Sequence, residues 1–248
     1  MRTKLSLCIA AILIITNTIF PSAGITPYVR LNEDIYFLLG VEKRKKQKNE
    51  QICITDFGGY GTTDIHTAAR EGYEETMGIF TAETIDDIKK KKKIGMQYFI
   101  DRFETEKNFV FGNKKYKTHF INVTDKAKEL VDGHKKSGIA GKDDTFLETI
   151  IEALEDRLIR LCTNKKYKRK LRAYKEKRGY IFVKREDFIT MIEKSDVSLC
   201  QAKFFTSFGV DPEEKVPQAE YIDVSLKLYR PFAEMMQENN EYLKLLEL

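Results

Sequence analysis

Arg70, Glu71, Glu74 and Glu75 crowd one short stretch of the chain, Gly58-Gly59-Tyr60-Gly61-Thr62-Thr63-Asp64-Ile65-His66-Thr67-Ala68-Ala69-Arg70-Glu71-Gly72-Tyr73-Glu74-Glu75-Thr76-Met77-Gly78-Ile79. On a helix advancing about 100° per residue, the three glutamates fall within an arc of about 100°. Like charges at i, i+3 and i+4 repel and weaken a helix, so the arrangement gains from a cation set among them. Hard divalent ions such as Mg²⁺ take oxygen clusters of this kind and share them with substrate phosphates. Arg70, just off the acidic arc, can neutralise one carboxylate and hold its rotamer. Ile65, Ala69, Gly72 and Thr76 form another face, small and apolar enough to lie on a sheet. An amphipathic helix with an acidic solvent face is the competing explanation.

The elements that must position these residues are legible around them. Gly24 to Arg30 and Ile35 to Val41 read as two strands joined by a turn at Asn32-Glu33-Asp34. Gln51 to Phe57 alternates apolar and polar residues, the mark of a half-buried strand. The glycines at 58, 59 and 61 end it and lead into a helix from Asp64 to Met77. A second helix is expected over Ala82 to Lys92, closing on Lys89 to Lys93. Gln97 to Phe103 and Lys117 to Val123 read as strands, with Phe109 to Phe111 and a turn at Gly112-Asn113 between them. Residues 125–145 read as a helical turn and a loop. Leu147, Ile150, Ile151, Leu154, Leu158 and Leu161 recur at three and four, which predicts a helix over Thr145 to Cys162. A strand at Gly179 to Val183, a helix at Arg185 to Lys194 and a helical tail from Pro217, interrupted at Pro231, complete the pattern. Strands and helices mix without regular βαβ alternation, so the fold class is α/β of the mixed α+β kind.

The run of strand, Gly-Gly loop and Ala-Ala-Arg-Glu-x-x-Glu-Glu-x-x-Gly-Ile resembles the Nudix box, whose pattern is G-x5-E-x7-R-E-U-x-E-E-x-G-U. The order of the early strands fits the same family. The resemblance covers residues 24–124, with 179–194 as the closing strand and helix. It implies an α/β/α sandwich around a mixed sheet with extra C-terminal helices. It also implies hydrolysis of the pyrophosphate of a nucleoside diphosphate linked to another moiety. By resemblance, Glu71, Glu74 and Glu75 are ligands of Mg²⁺ or Mn²⁺, Glu74 and Glu75 with Arg70 are catalytic, and Gly58 and Gly59 contact substrate. The chain departs from the pattern in four ways: the stretch from Gly59 to Arg70 is three residues shorter, the early Glu falls at Thr62, Gly72 replaces an aliphatic residue, and Gly78 comes one residue late. An inactive Nudix-like module that binds nucleotide, RNA or another polyanion is the alternative.

Composition bounds the rest. With 42% hydrophobic and 33% charged residues, the 248-residue chain is too apolar for disorder and too charged for a multi-spanning membrane protein. Residues 1–23 read as a signal peptide: Arg2 and Lys4, the apolar run Leu7 to Ile15, then Pro21-Ser22-Ala23. That run is short for a bilayer span, so an exported protein with no membrane span after cleavage is expected. The domain plan is a leader at 1–23, a Nudix-like domain with a helical insertion at 24–195, and a helical extension at 196–248. A net charge of +5 hides basic runs at Lys43–Lys48, Lys89–Lys93 and Lys165–Arg178 that can gather polyanions. Glu148, Glu152 and Glu155 are candidates for a further assisting carboxylate.

Overall fold

The computed structural model describes residues 22–46, 49–61, 64–105, 109–112, 116–137, 145–168, 173–194, 197–211 and 213–248. The leader up to residue 21 and Thr62 lie outside them. Among the described residues the main sheet has seven strands: β1 (Ser22–Leu31), β2 (Asp34–Lys46), β3 (Asn49–Thr55), β4 (Phe57–Tyr60), β5 (Phe109–Gly112), β6 (Tyr116–Asn122) and β7 (Tyr180–Lys184). β1 is the hub. Its first half pairs antiparallel with β4 and parallel with β6. Its second half turns back into β2 through Asn32, which sits at φ 58° in the left-handed region that Asn tolerates. β2 is long enough to pair with β1, β3 and β7.

The pleat sends alternate residues to opposite faces, and both faces are covered. Ala23, Ile25 and Val29 of β1 with Leu38 of β2 meet α1 (Asp64–Glu75), α2 (Ile88–Thr105), α3 (Thr124–Ser137) and α4 (Phe146–Thr163). Tyr28, Phe37, Leu39 and Val41 face the other way. A short α5 (Lys165–Lys168) leads on to α6 (Arg185–Glu193) and α7 (Arg230–Gln237), and these last two helices cover the second face. At its centre Phe37 packs against Phe120 at 5.2 Å and Phe188 at 4.9 Å between ring centres. The result is the expected mixed α/β arrangement: a mixed sheet between two helical layers.

α1 is held in register by small residues. Ala68 and Ala69 are fully buried, and the Cα of Gly72 lies so close to Ile25 of β1 that a Cβ there would overlap its side chain. The helix ends at Glu75, two residues short of the expected Met77. The amide of Met77 donates to the carbonyl of Glu74 and that of Gly78 to Tyr73, which closes a Schellman cap. Met77 takes the left-handed position at φ 52° and Gly78 follows at φ 62°. The late glycine therefore belongs to a cap in which a buried methionine fills the site glycine usually takes. Arg157 of α4 fastens the following turn by donating to the carbonyls of Met77, Ala82 and Glu83.

Several elements differ from the sequence expectation. Gln97 to Phe103 is the second half of α2, not a strand: Gly95, Phe99 and Phe103 recur at four and are the buried positions. Lys89 to Lys93 consequently opens α2 rather than ending a helix. Residues 124–137 form a full helix, with Asn122 accepting from the amide and hydroxyl of Thr124 at its start. The tail from Pro217 is not helical throughout. β8 (Cys200–Val210) and β9 (Pro217–Leu226) make a separate hairpin, and Pro231 opens α7, where a missing N–H costs nothing. Ser22 and Ala23, placed at the end of the leader, are the first residues of β1, and Ala23 is fully buried. The helix over Thr145 to Cys162 is there as α4, started by a capping box between Thr145 and Glu148.

Candidate active site

Arg70 sits at the centre of the acidic face of α1. Its guanidinium donates to Glu71 at 2.5 Å, to Glu74 at 3.0 Å and to the main-chain oxygen of Tyr60 at 2.7 Å. One side chain thus orients two carboxylates and ties them to the end of β4. Lys92 of α2 pairs with the second oxygen of Glu74. The sequence placed Arg70 beside these carboxylates, and the structure brings it to two of them.

Gly58 and Gly59 lie beside these groups, and each is required by a neighbour. A Cβ on Gly59 would overlap the carboxylate of Glu71, and one on Gly58 would overlap the hydroxyl of Tyr116. That hydroxyl donates to Asp56 Oδ2 at 2.7 Å, while Thr55 donates to Oδ1 at 3.1 Å. Burial pushes the Asp56 carboxyl above the usual carboxylate range, against the opposing pull of these hydrogen bonds and of Lys177.

Glu75 points inward and leaves the other two. Its Oε2 lies 3.4 Å from Lys177 Nζ without hydrogen-bond geometry, and Lys177 also reaches Glu42 at 3.1 Å. Lys177 is only 1% exposed. Its stem crosses β2 at Gly40, where a Cβ would come within 2.5 Å of Lys177 Cδ. Burial lifts the Glu75 carboxyl well above its ordinary range, and Lys177 pulls it back only in part. Burial also works to lower Lys177, but Glu75 and Glu42 outweigh it and its pKa is raised. Lys177 is thus held between Glu42 and Glu75, with burial and the lysine acting on Glu75 in opposite directions. Burial raises Glu71 as well, with Arg70 opposing.

This separation decides how a hard cation could be held. Among the described residues no three His, Cys, Asp or Glu side chains are grouped to hold a metal ion. Glu71 and Glu74 nevertheless converge on one guanidinium. Among the described residues the other cation on them is Lys92, paired with Glu74, its side chain 35% exposed. One or two carboxylates suffice for Mg²⁺ when phosphate and water complete its shell. Glu71 and Glu74 are two such carboxylates, both now engaged by Arg70. Glu75, expected as a third ligand, faces a buried lysine instead.

Glu148 is engaged in the cap of α4 and Glu155 pairs with Lys203 of β8, so neither turns toward α1. Glu152 is exposed, on a groove between α4 and β8. Sequence reasoning missed Arg44, Asp56, Lys92, Tyr116 and Lys177. Asp56 stood beside the recognised glycines; Arg44, Lys92 and Lys177 belong to the three basic runs but were not placed at the site, and Tyr116 arrives from β6. No helix among the described residues is long and apolar enough to cross a membrane. Comparison with family models, with curated proteins and with solved structures returns no match.

Proposed function

We propose that the chain is a Nudix-type pyrophosphohydrolase that cleaves the phosphoanhydride of a nucleoside diphosphate linked to another moiety. The observation that carries this reading is Arg70 gripping Glu71 and Glu74 against the end of β4, beside Gly59. Water adds to one phosphorus, the bridging P–O bond breaks, and the water's proton passes to a carboxylate of this pair. Arg70 fixes both rotamers before substrate arrives, so little reorganisation is needed at the moment of reaction. Gly59 lets Glu71 approach the strand closely enough to share the phosphates with Arg70. A Mg²⁺ or Mn²⁺ ion held by Glu71 and Glu74 would supply neutralisation of charge on the bridging and leaving oxygens.

The test is a substrate panel of ADP-ribose, dinucleoside polyphosphates, nucleoside triphosphates, NDP-sugars and capped RNA, assayed with Mg²⁺ and Mn²⁺. Ion-dependent release of a nucleoside monophosphate or diphosphate from any of them supports the reading. Absence of turnover across the panel opposes it.

One observation favours the binding-module alternative. Lys89, Lys90, Lys92 and Lys93 of α2 and His66 of α1 line an open groove beside Glu74. Such a row attracts a polyanion whether or not a bond is cut. Salt-sensitive retention of RNA without ion-dependent turnover selects this reading. Export through an N-terminal leader is part of the proposal; because Ser22 and Ala23 are paired in β1, its cleavage falls before Ser22 rather than after Ala23.

A further inference from the structure

A cavity of about 290 Å³ opens between β4 and α7, with Arg44, Asp56, Tyr60, Tyr229, Phe232 and Met235 in its lining. We propose that this cavity seats the neutral heteroaromatic ring of a nucleoside, stacked on its aromatic wall with its polar edge toward Asp56 and Tyr116. The proposal rests on the hydrolase reading for the bond that is cut, but not for the binding itself.

The lining indicates a ring rather than a phosphate. Arg44 is the one cation in it, and its guanidinium is already paired with Glu42 and stacked over Tyr229 at 5.2 Å. Asp56 adds carboxyl oxygens that already accept from Thr55 and Tyr116, and no positive charge for a phosphate. What remains is an apolar wall with a few convergent hydrogen-bonding groups, the usual make-up of a small-molecule pocket. The volume falls just below the roughly 300–1,000 Å³ range for such pockets, which suits one nucleoside and not two.

The wall is built in advance. The amide of Ile54 donates to Lys227 O at 3.0 Å and that of Tyr229 to Ile54 O at 2.8 Å, so Tyr229 is fixed to β3. Tyr60, by contrast, stands at the mouth with 78% of its surface in water. A large exposed aromatic ring at the rim of a cavity is a ready stacking platform. The same residue ties the cavity to the acidic face: its carbonyl accepts from Arg70, and its neighbour Gly59 packs on Glu71. A ring seated here therefore carries its attached phosphates toward Arg70 and Glu71.

The probes are AMP, GMP, CMP and UMP against ribose 5-phosphate, titrated calorimetrically into the full chain in EDTA. At least one nucleotide should bind more tightly than ribose 5-phosphate, which has the phosphate and lacks the base. Tyr60→Ala, at an exposed position, should weaken that nucleotide about fivefold or more, within the range base–aromatic stacking commonly contributes. Phe232→Leu should weaken it too, with melting temperature recorded to confirm folding. Equal binding of ribose 5-phosphate, or unchanged nucleotide affinity in both folded variants, overturns the proposal. Nucleotide binding with no turnover across the substrate panel leaves the cavity assignment standing and removes the hydrolase. Turnover whose KM is indifferent to both variants does the reverse.

Discussion

Replacing Lys177 with methionine removes a buried charge while keeping the length of the stem that crosses Gly40. Glu42 then loses its 3.1 Å partner and Glu75 its 3.4 Å partner, both buried carboxylates. Breaking a buried pair from one side costs about 3–5 kcal/mol. The low end applies, because Arg44 stays on the second oxygen of Glu42. A loss of about 3 kcal/mol lowers the melting temperature by about 6–12 °C in a chain of this size. The pKa of Lys177 is raised in the fold, so its contribution is fully present below the ordinary lysine value and lost as pH rises through the raised one. The deficit of Lys177→Met should therefore hold steady from about pH 6 to about pH 9. The assay is urea unfolding of wild type, Lys177→Met, Glu42→Gln and the double variant. Removing both charges should restore part of the loss, with a coupling of about 1–3 kcal/mol. A Lys177→Met protein as stable as wild type, or a double variant no better than the sum of its parts, refutes the internal ion cluster.

Asp56→Asn should melt at or above wild type near neutral pH, since the raised carboxyl is most stabilising below its ordinary value and that advantage is lost as pH rises through the folded one. The gain should vanish on approach to about pH 4, and melting curves across pH check it. Arg157→Met leaves the carbonyls of Met77, Ala82 and Glu83 without their donor and should cost about 3 kcal/mol in urea unfolding. Gly72→Ala should cost about 1–3 kcal/mol through overlap with Ile25, and adding Ile25→Val should recover part of it by the same measurement.

Local pattern carried a good share of this fold. The Leu and Ile spacing of α4 reads as one helical face, and Thr145 with Glu148 marks its start. Arg70, Glu71 and Glu74 are close in sequence and stay close in space, so their meeting on one helix face was legible. Gln97 to Phe103 was not: its Tyr, Phe and Ile favour a strand locally, and only packing on the sheet selects the four-residue period of Phe99 and Phe103. The C-terminal hairpin was hidden for a related reason. β9 is exposed along nearly its whole length, so no apolar alternation announces it. The separation of Glu75 from its neighbours depends on Lys177 and Glu42, and nothing near residue 75 signals either. Likewise the cavity needs β3, β4, β6 and α7 together, a meeting that only the assembled topology creates.

The central claim is that Glu71 and Glu74, oriented by Arg70, carry phosphoanhydride hydrolysis. It is tested most directly by turnover of Glu74→Gln at saturating Mg²⁺ on the best substrate of the panel, with melting temperature measured alongside. Gln keeps the size and shape of Glu but removes the charge that Arg70 and Lys92 now share. The account predicts a fold that survives and a turnover reduced by about 10²-fold or more, comparable to losing a strong electrostatic stabiliser. A folded Glu74→Gln protein that turns over at the wild-type rate would contradict it.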